Sequence, residues 1–116
     1  VKEHKDLDVW NLSMDLVEKI YKLCQTFPKE ETYGLTLQIK RATISIPSNI
    51  AEGASRQSNK EFIQFLFISL GSLSELETQL LLAKRLCFVE NIDETIEDIV
   101  RIKKMLYGLI NFIKAK

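Results

Sequence analysis

Pro47 lies in the middle of a segment whose helical rhythm it does not interrupt, and that combination constrains the fold more than any other feature of the chain. From Gly34 to Arg56 the sequence reads GLTLQIKRATISIPSNIAEGASR. Gln38, Arg41, Ser45, Asn49, Glu52 and Arg56 recur every three or four residues and share one helical face, while Leu35, Ile39, Ala42, Ile46 and Ile50 form an apolar stripe opposite. A proline inside such a helix removes one backbone hydrogen bond and crowds the carbonyl of Thr43, at a cost of about 3 kcal/mol if nothing compensates. The pattern predicts a helix over 29–54 with a kink near Thr43 to Pro47. The kink either wraps the helix around its neighbours or offers the freed carbonyl to a ligand.

The flanking segments are helical by the same criterion. Trp10, Met14, Val17, Tyr21 and Cys24 form a stripe, widened by Leu16, Ile20, Leu23 and Phe27, on a helix predicted over 8–26 with Asp6 or Asp8 as its cap. Phe27-Pro28 ends it, and Glu30 and Glu31 place negative charge at the start of the next helix. Ser58 with Glu61 reads as a capping box ahead of a third helix over 59–88. Asn91 with Glu94 opens a fourth over 92–114, striped by Ile92, Ile96, Ile99, Leu106, Ile110 and Ile113. Lys103 interrupts that stripe, and its stem is expected to turn toward solvent. Four long helices with short connections make an all-α, up-down-up-down antiparallel four-helix bundle, a single domain over 1–116.

The third helix departs from the ordinary pattern. Phe62 to Leu70 is apolar almost all round, and a small-residue run around Gly71, Ser72 and Ser74 follows. A bundle helix in a monomer keeps a wet face, so this one calls for a second subunit. Antiparallel pairing about a turn near Gln57 also sets Arg41 level with Ser72 to Glu75, which predicts an ion pair from Arg41 to Glu75 or Glu77.

Charge narrows the function. Sixteen basic residues balance sixteen acidic ones, without the basic excess of a dedicated nucleic-acid binder. The balance is uneven, however: residues 61–82 carry three acids and no base, so local basic patches stay open. Cys24 and Cys87 have no CxxC partner and fit buried thiols of a reducing cytosol. No signal peptide opens the chain, and no run of about 18 uninterrupted apolar residues suits a bilayer, so a cytoplasmic protein without membrane contact is expected. The one histidine, His4, falls in a charged segment and is expected to be frayed and exposed.

The run GLTLQIKRATISIPSNIAEGASR followed by FLFISLGSLSELET resembles the proteins encoded in intervening sequences of bacterial 23S ribosomal RNA genes. Gly34, Leu35, Gln38, Arg41, Ala42, Ser45, Ile46, Pro47, Asn49, Ile50, Ala51, Glu52, Gly53 and Arg56 match that pattern, as do Gly71, Ser72, Glu75 and Thr78. Lys40 stands where arginine is common and Ser69 where alanine is. The resemblance implies a four-helix bundle assembling into a homopentamer, with relatives among the accessory proteins of diversity-generating retroelements, and it suggests RNA or a nucleic-acid-processing protein as partner.

Two readings follow. In the first, an oligomeric adaptor binds nucleic acid through phosphate contacts from Lys40, Arg56, Lys60, Lys84, Arg85, Arg101 and Lys104, each of which also reads as a solvated helix charge. In the second, the oligomer is purely structural, and Gln38, Arg41, Ser45, Asn49, Glu52, Arg56 and Glu75 form a polar seam inside or between subunits. An enzyme is not expected. Di-iron bundles need Glu-x-x-His pairs, Ser45 has no histidine base, and no glycine-rich phosphate loop occurs. No cofactor or metal is implied.

Overall fold

The computed structural model describes residues 3–116, and these fold into four helices: α1 (Asp8–Leu23), α2 (Leu35–Ala54), α3 (Asn59–Arg85) and α4 (Asp93–Lys114). Each helix packs on the next and α4 closes on α1, giving the antiparallel up-down-up-down bundle, 47 Å along its longest axis. The core is a single cluster. Leu16 and Ile20 of α1 meet Ile39, Ile46 and Ile50 of α2, Leu66, Leu73, Leu76 and Leu80 of α3, and Ile99, Ile102 and Leu106 of α4.

The helix ends follow a different chemistry from the one expected. Neither Asp6 nor Asp8 caps α1: Leu7 occupies the N-cap, and Asp6 instead closes a 3-10 turn over His4–Asp6 with Glu3. Phe27 is extended ahead of Pro28, as proline demands. Pro28 then starts only a 3-10 turn, Lys29–Glu31, so α2 begins six residues later than predicted, at Leu35. Glu31 Oε1 accepts a hydrogen bond from the Leu35 amide at 3.0 Å, which places its carboxylate at the positive end of α2.

Helical structure is continuous from Leu35 to Ala54 through the buried Pro47. Thr43, whose carbonyl the proline deprives of its usual donor, is fully buried, which closes that oxygen to a solvent-borne ligand.

Ser58 Oγ accepts from the Glu61 amide at 3.0 Å and starts α3 at Asn59. The helix stops at Arg85, short of the predicted 88, in a Schellman closure: Phe88 N donates to Ala83 O and Cys87 N to Lys84 O, both at 3.0 Å. Cys87 takes the left-handed position, φ 64°. Asn91 Oδ1 accepts from the Asp93 amide at 2.9 Å, but Ile92 is the N-cap of α4 and Glu94 turns away to Lys19.

Candidate functional site

The polar stripe of α2 divides into three parts. Ser45 and Asn49 form a network with α3: Ser45 Oγ lies 2.8 Å from Ser72 Oγ, and Asn49 donates to both the hydroxyl and the carbonyl of Ser45 at 2.8 Å. Beside it, fully buried Ser69 donates to Ile46 O at 2.9 Å. Glu52 and Arg56 pair with each other along α2 at 3.3 Å, and Arg56 lies over the Phe65 ring. Gln38 and Arg41 are exposed.

The expected Arg41 pair does not form: among the described residues Arg41 has no ion pair, and Glu75 stands exposed without one. The predicted register nevertheless holds. Contacts of Ser45 with Ser72 and of Ile46 with Ser69 set Arg41 level with about residue 75, and both side chains simply point outward. Glu77 is taken by Lys103 at 3.1 Å, so the Lys103 head crosses to α3 rather than to open solvent.

On the α1–α4 side, Lys19 bridges two carboxylates, 2.6 Å from Glu94 and closer still to Asp98. The hydrogen bond to Asp98, then that to Glu94, holds the Lys19 ammonium above its ordinary pKa. Nothing in local spacing points to this pair of contacts, because the partners lie on helices far apart in sequence.

The basic candidates do not form one patch. Arg56 and Lys60 sit at the α2–α3 turn, whereas Lys84 and Arg85 close α3, about 36 Å from Lys60 along a helix rising 1.5 Å per residue. Lys40 stacks over Tyr21 with Nζ 4.6 Å from the ring centre. Arg101 pairs with Asp98 at 3.5 Å, and Lys104 is exposed.

Apolar surface is the more distinctive feature. The stripe expected to be the core of α1 is offset: Val9, Ser13, Leu16, Ile20 and Cys24 face inward, while Met14 and Tyr21 are exposed and Trp10 and Val17 half-buried. Periodicity alone merges the two overlapping stripes into one wide core face. The outer one lines an open groove of ≈ 360 Å³ with Ile44, Pro47, Ser48 and Ala51 of α2. His4 borders this groove, half-buried and edge-on to Trp10 at 5.1 Å, rather than frayed.

Across the bundle, α3 leaves Phe67, Ile68, Leu81 and Leu82 nearly half-exposed. By length and hydropathy α3 alone would suit a membrane span, but its inner face, with Leu66, Leu73, Leu76 and Leu80, is fully covered by the other helices.

The cysteines part company as well. Cys24 is buried, and that burial raises its thiol pKa; Cys87 is exposed, contrary to expectation, because the Schellman closure turns it out of the apolar register.

Fold and surface together define a small all-α four-helix bundle with apolar side chains exposed on two outer faces. The chain belongs to the 23S rRNA-intervening sequence protein family, whose model matches residues 5–108. It is similar to the crystal structure of a protein of unknown function from the S23 ribosomal protein family of Bacteroides thetaiotaomicron VPI-5482. The two share 28% sequence identity at a TM-score of 0.81, over 88% of this chain and 97% of that one. No curated protein matches the chain.

Proposed function

We propose that this protein is a non-enzymatic, cytoplasmic assembly unit, and that its oligomer engages RNA or an RNA-bound protein as an adaptor. The carrying observation is the exposed apolar surface of α3, where Phe67, Ile68, Leu81 and Leu82 remain between 45% and 49% accessible in one chain. Two exposed apolar pairs on one helix face, about 21 Å apart at helical rise with Gly71, Ser74, Glu75 and Thr78 exposed between them, favour burial against a partner. Family membership supports the RNA side of the reading, and the resemblance noted above makes a five-chain ring the expected assembly.

Assembly also answers the scattering of the cations. Rotational symmetry repeats each bundle end around one axis, so Lys84 and Arg85 of successive copies would gather on one rim, as Arg56 and Lys60 would on the other. A rim of repeated cations suits phosphate better than a single pair does. Ser45, held between Ser72 and Asn49, has a structural role in this reading.

The test is molar mass by light scattering on a sizing column, with absorbance at 260 and 280 nm, on protein purified without nuclease. A mass near five chains with excess absorbance at 260 nm, lost on raising salt, is the expected result. Charge reversal at Lys84 and Arg85 should then release the nucleic acid and leave the mass unchanged. A clean multimer that retains no nucleic acid at any salt favours a purely structural oligomer, the reading that the internally satisfied Ser45 network also fits. A single-chain mass overturns both.

A further inference from the structure

Two surface rows of opposite character have mirrored spacing. On the outside of α3, Ile68, Gly71, Glu75, Thr78 and Leu82 recur at intervals of three and four, the spacing of a second helix-packing seam, and all five are exposed. On α2, Leu37, Arg41, Ile44, Ser48 and Ala51 recur at four and three, the last three lining the α1 groove, with Ile44 43% accessible. Gly71 is the notch in the first row, since a side chain added there would meet nothing within 4 Å. Ile44 is the projection in the second.

The charges are complementary too. From Gly34 to Ala51 α2 and its cap carry Lys40 and Arg41 and no acid, whereas from Glu61 to Ala83 α3 carries three acids and no base. Glu77 is neutralised by Lys103, which leaves Glu75, without an ion pair among the described residues, in the middle of the α3 row.

We propose that the α3 row of one copy packs against the α2 row and α1 groove of the next, head to tail. This rests on the assembly reading above and names its contact. Rotation about an axis parallel to the bundle leaves heights unchanged. Arg41 and Glu75 are level within a chain, so they are level between neighbours, and α3 of one copy runs antiparallel to α2 of the other.

That single register pairs four of the five positions in each row, with Thr78 falling opposite Leu37. Glu75 meets Lys40 and Arg41, and Ile44 enters the notch at Gly71. Seven residues along, ~10.5 Å at helical rise, Ile68 meets Ser48 and the groove wall of Met14, Pro47 and Ala51. A ridge fits a groove and neither fits itself, so the contact is heterologous, and repetition about the axis closes a ring where the rotation per copy divides a full turn.

Gly71→Leu and Ile44→Glu test the contact from its two sides. Both positions are exposed, and replacing glycine within a helix favours the helix, so circular dichroism should show each variant folded and helical. Each alone should run as one 13.4 kDa chain. Mixed in equal amounts they should form a dimer and nothing larger, because one retains an intact groove and the other an intact ridge.

Wild-type mass held by either single variant would overturn the proposal, as would a mixture that stays monomeric. A wild type of two chains would replace it with a self-complementary face. A monomeric wild type would remove the assembly reading itself, an outcome separate from a wild-type multimer insensitive to both substitutions.

Discussion

Cys87 shows how a single backbone angle overrides side-chain preference. It holds the left-handed position that ends α3, φ 64°, where glycine avoids the clash between Cβ and the following carbonyl. The two Schellman hydrogen bonds and the packing of the Phe27 and Phe88 rings, 5.7 Å apart, hold it there. Cys87→Gly should therefore stabilise the fold by about 1 kcal/mol, read as a higher denaturation midpoint with an unchanged slope in urea. The same turn makes the cysteines chemically distinct. Cys87 should alkylate in the native protein, whereas Cys24, buried with its thiol pKa raised by desolvation, should react only on unfolding.

Among the elements, the α2–α3 pair is the most closely joined, and Gly53 shows why its spacing is fixed. A Cβ at that position would lie 2.7 Å from Phe65 Cβ and 3.2 Å from the Phe62 carbonyl, so the two backbones touch where the helices converge on their turn. Gly53→Ala should force them apart and cost about 1–3 kcal/mol, the range for overpacking a close contact, despite alanine's better helix propensity. A denaturation midpoint at or above that of wild type would refute the close approach.

Higher along the same pair, the Ser45–Ser72 and Ser69–Ile46 hydrogen bonds lock the register. That register could be read from the chain by counting outward from the turn near Gln57. The identity of the partners could not. Counting gives height along a helix but not the rotation that turns Arg41 and Glu75 outward and brings the serines together.

For the whole molecule, the titrating contacts point one way. Lys19 has a raised pKa through Asp98 first and Glu94 second, and Cys24 a raised pKa through burial. A group whose folded pKa is raised contributes stability that is complete below its unfolded value and is lost as pH rises through the folded one. Stability should hold at neutral pH, begin to fall above about pH 8.5 as the unfolded thiol ionises, and fall further beyond about pH 10.4, where a free lysine titrates. Lys19 is about a third exposed, so its share should shrink with added salt. Thermal melts across that range at two ionic strengths measure both effects. Lys19→Met should remove the steeper, salt-sensitive part of the alkaline loss and leave the rest.

Sequence alone determined the helices, their order and their antiparallel heights, because each depends on signals within a few residues: periodic apolar positions, the Phe27-Pro28 break and the Ser58 cap. It also marked Phe62 to Leu70 of α3 as apolar almost all round. Tertiary structure decided which of two overlapping stripes on α1 lies inward. It sent Lys103 to Glu77 and Lys19 to Asp98, and left Arg41 without an ion pair among the described residues. The division has one physical cause. Local spacing fixes position along a helix axis, whereas the rotation of each helix about that axis is set by packing against three others at once.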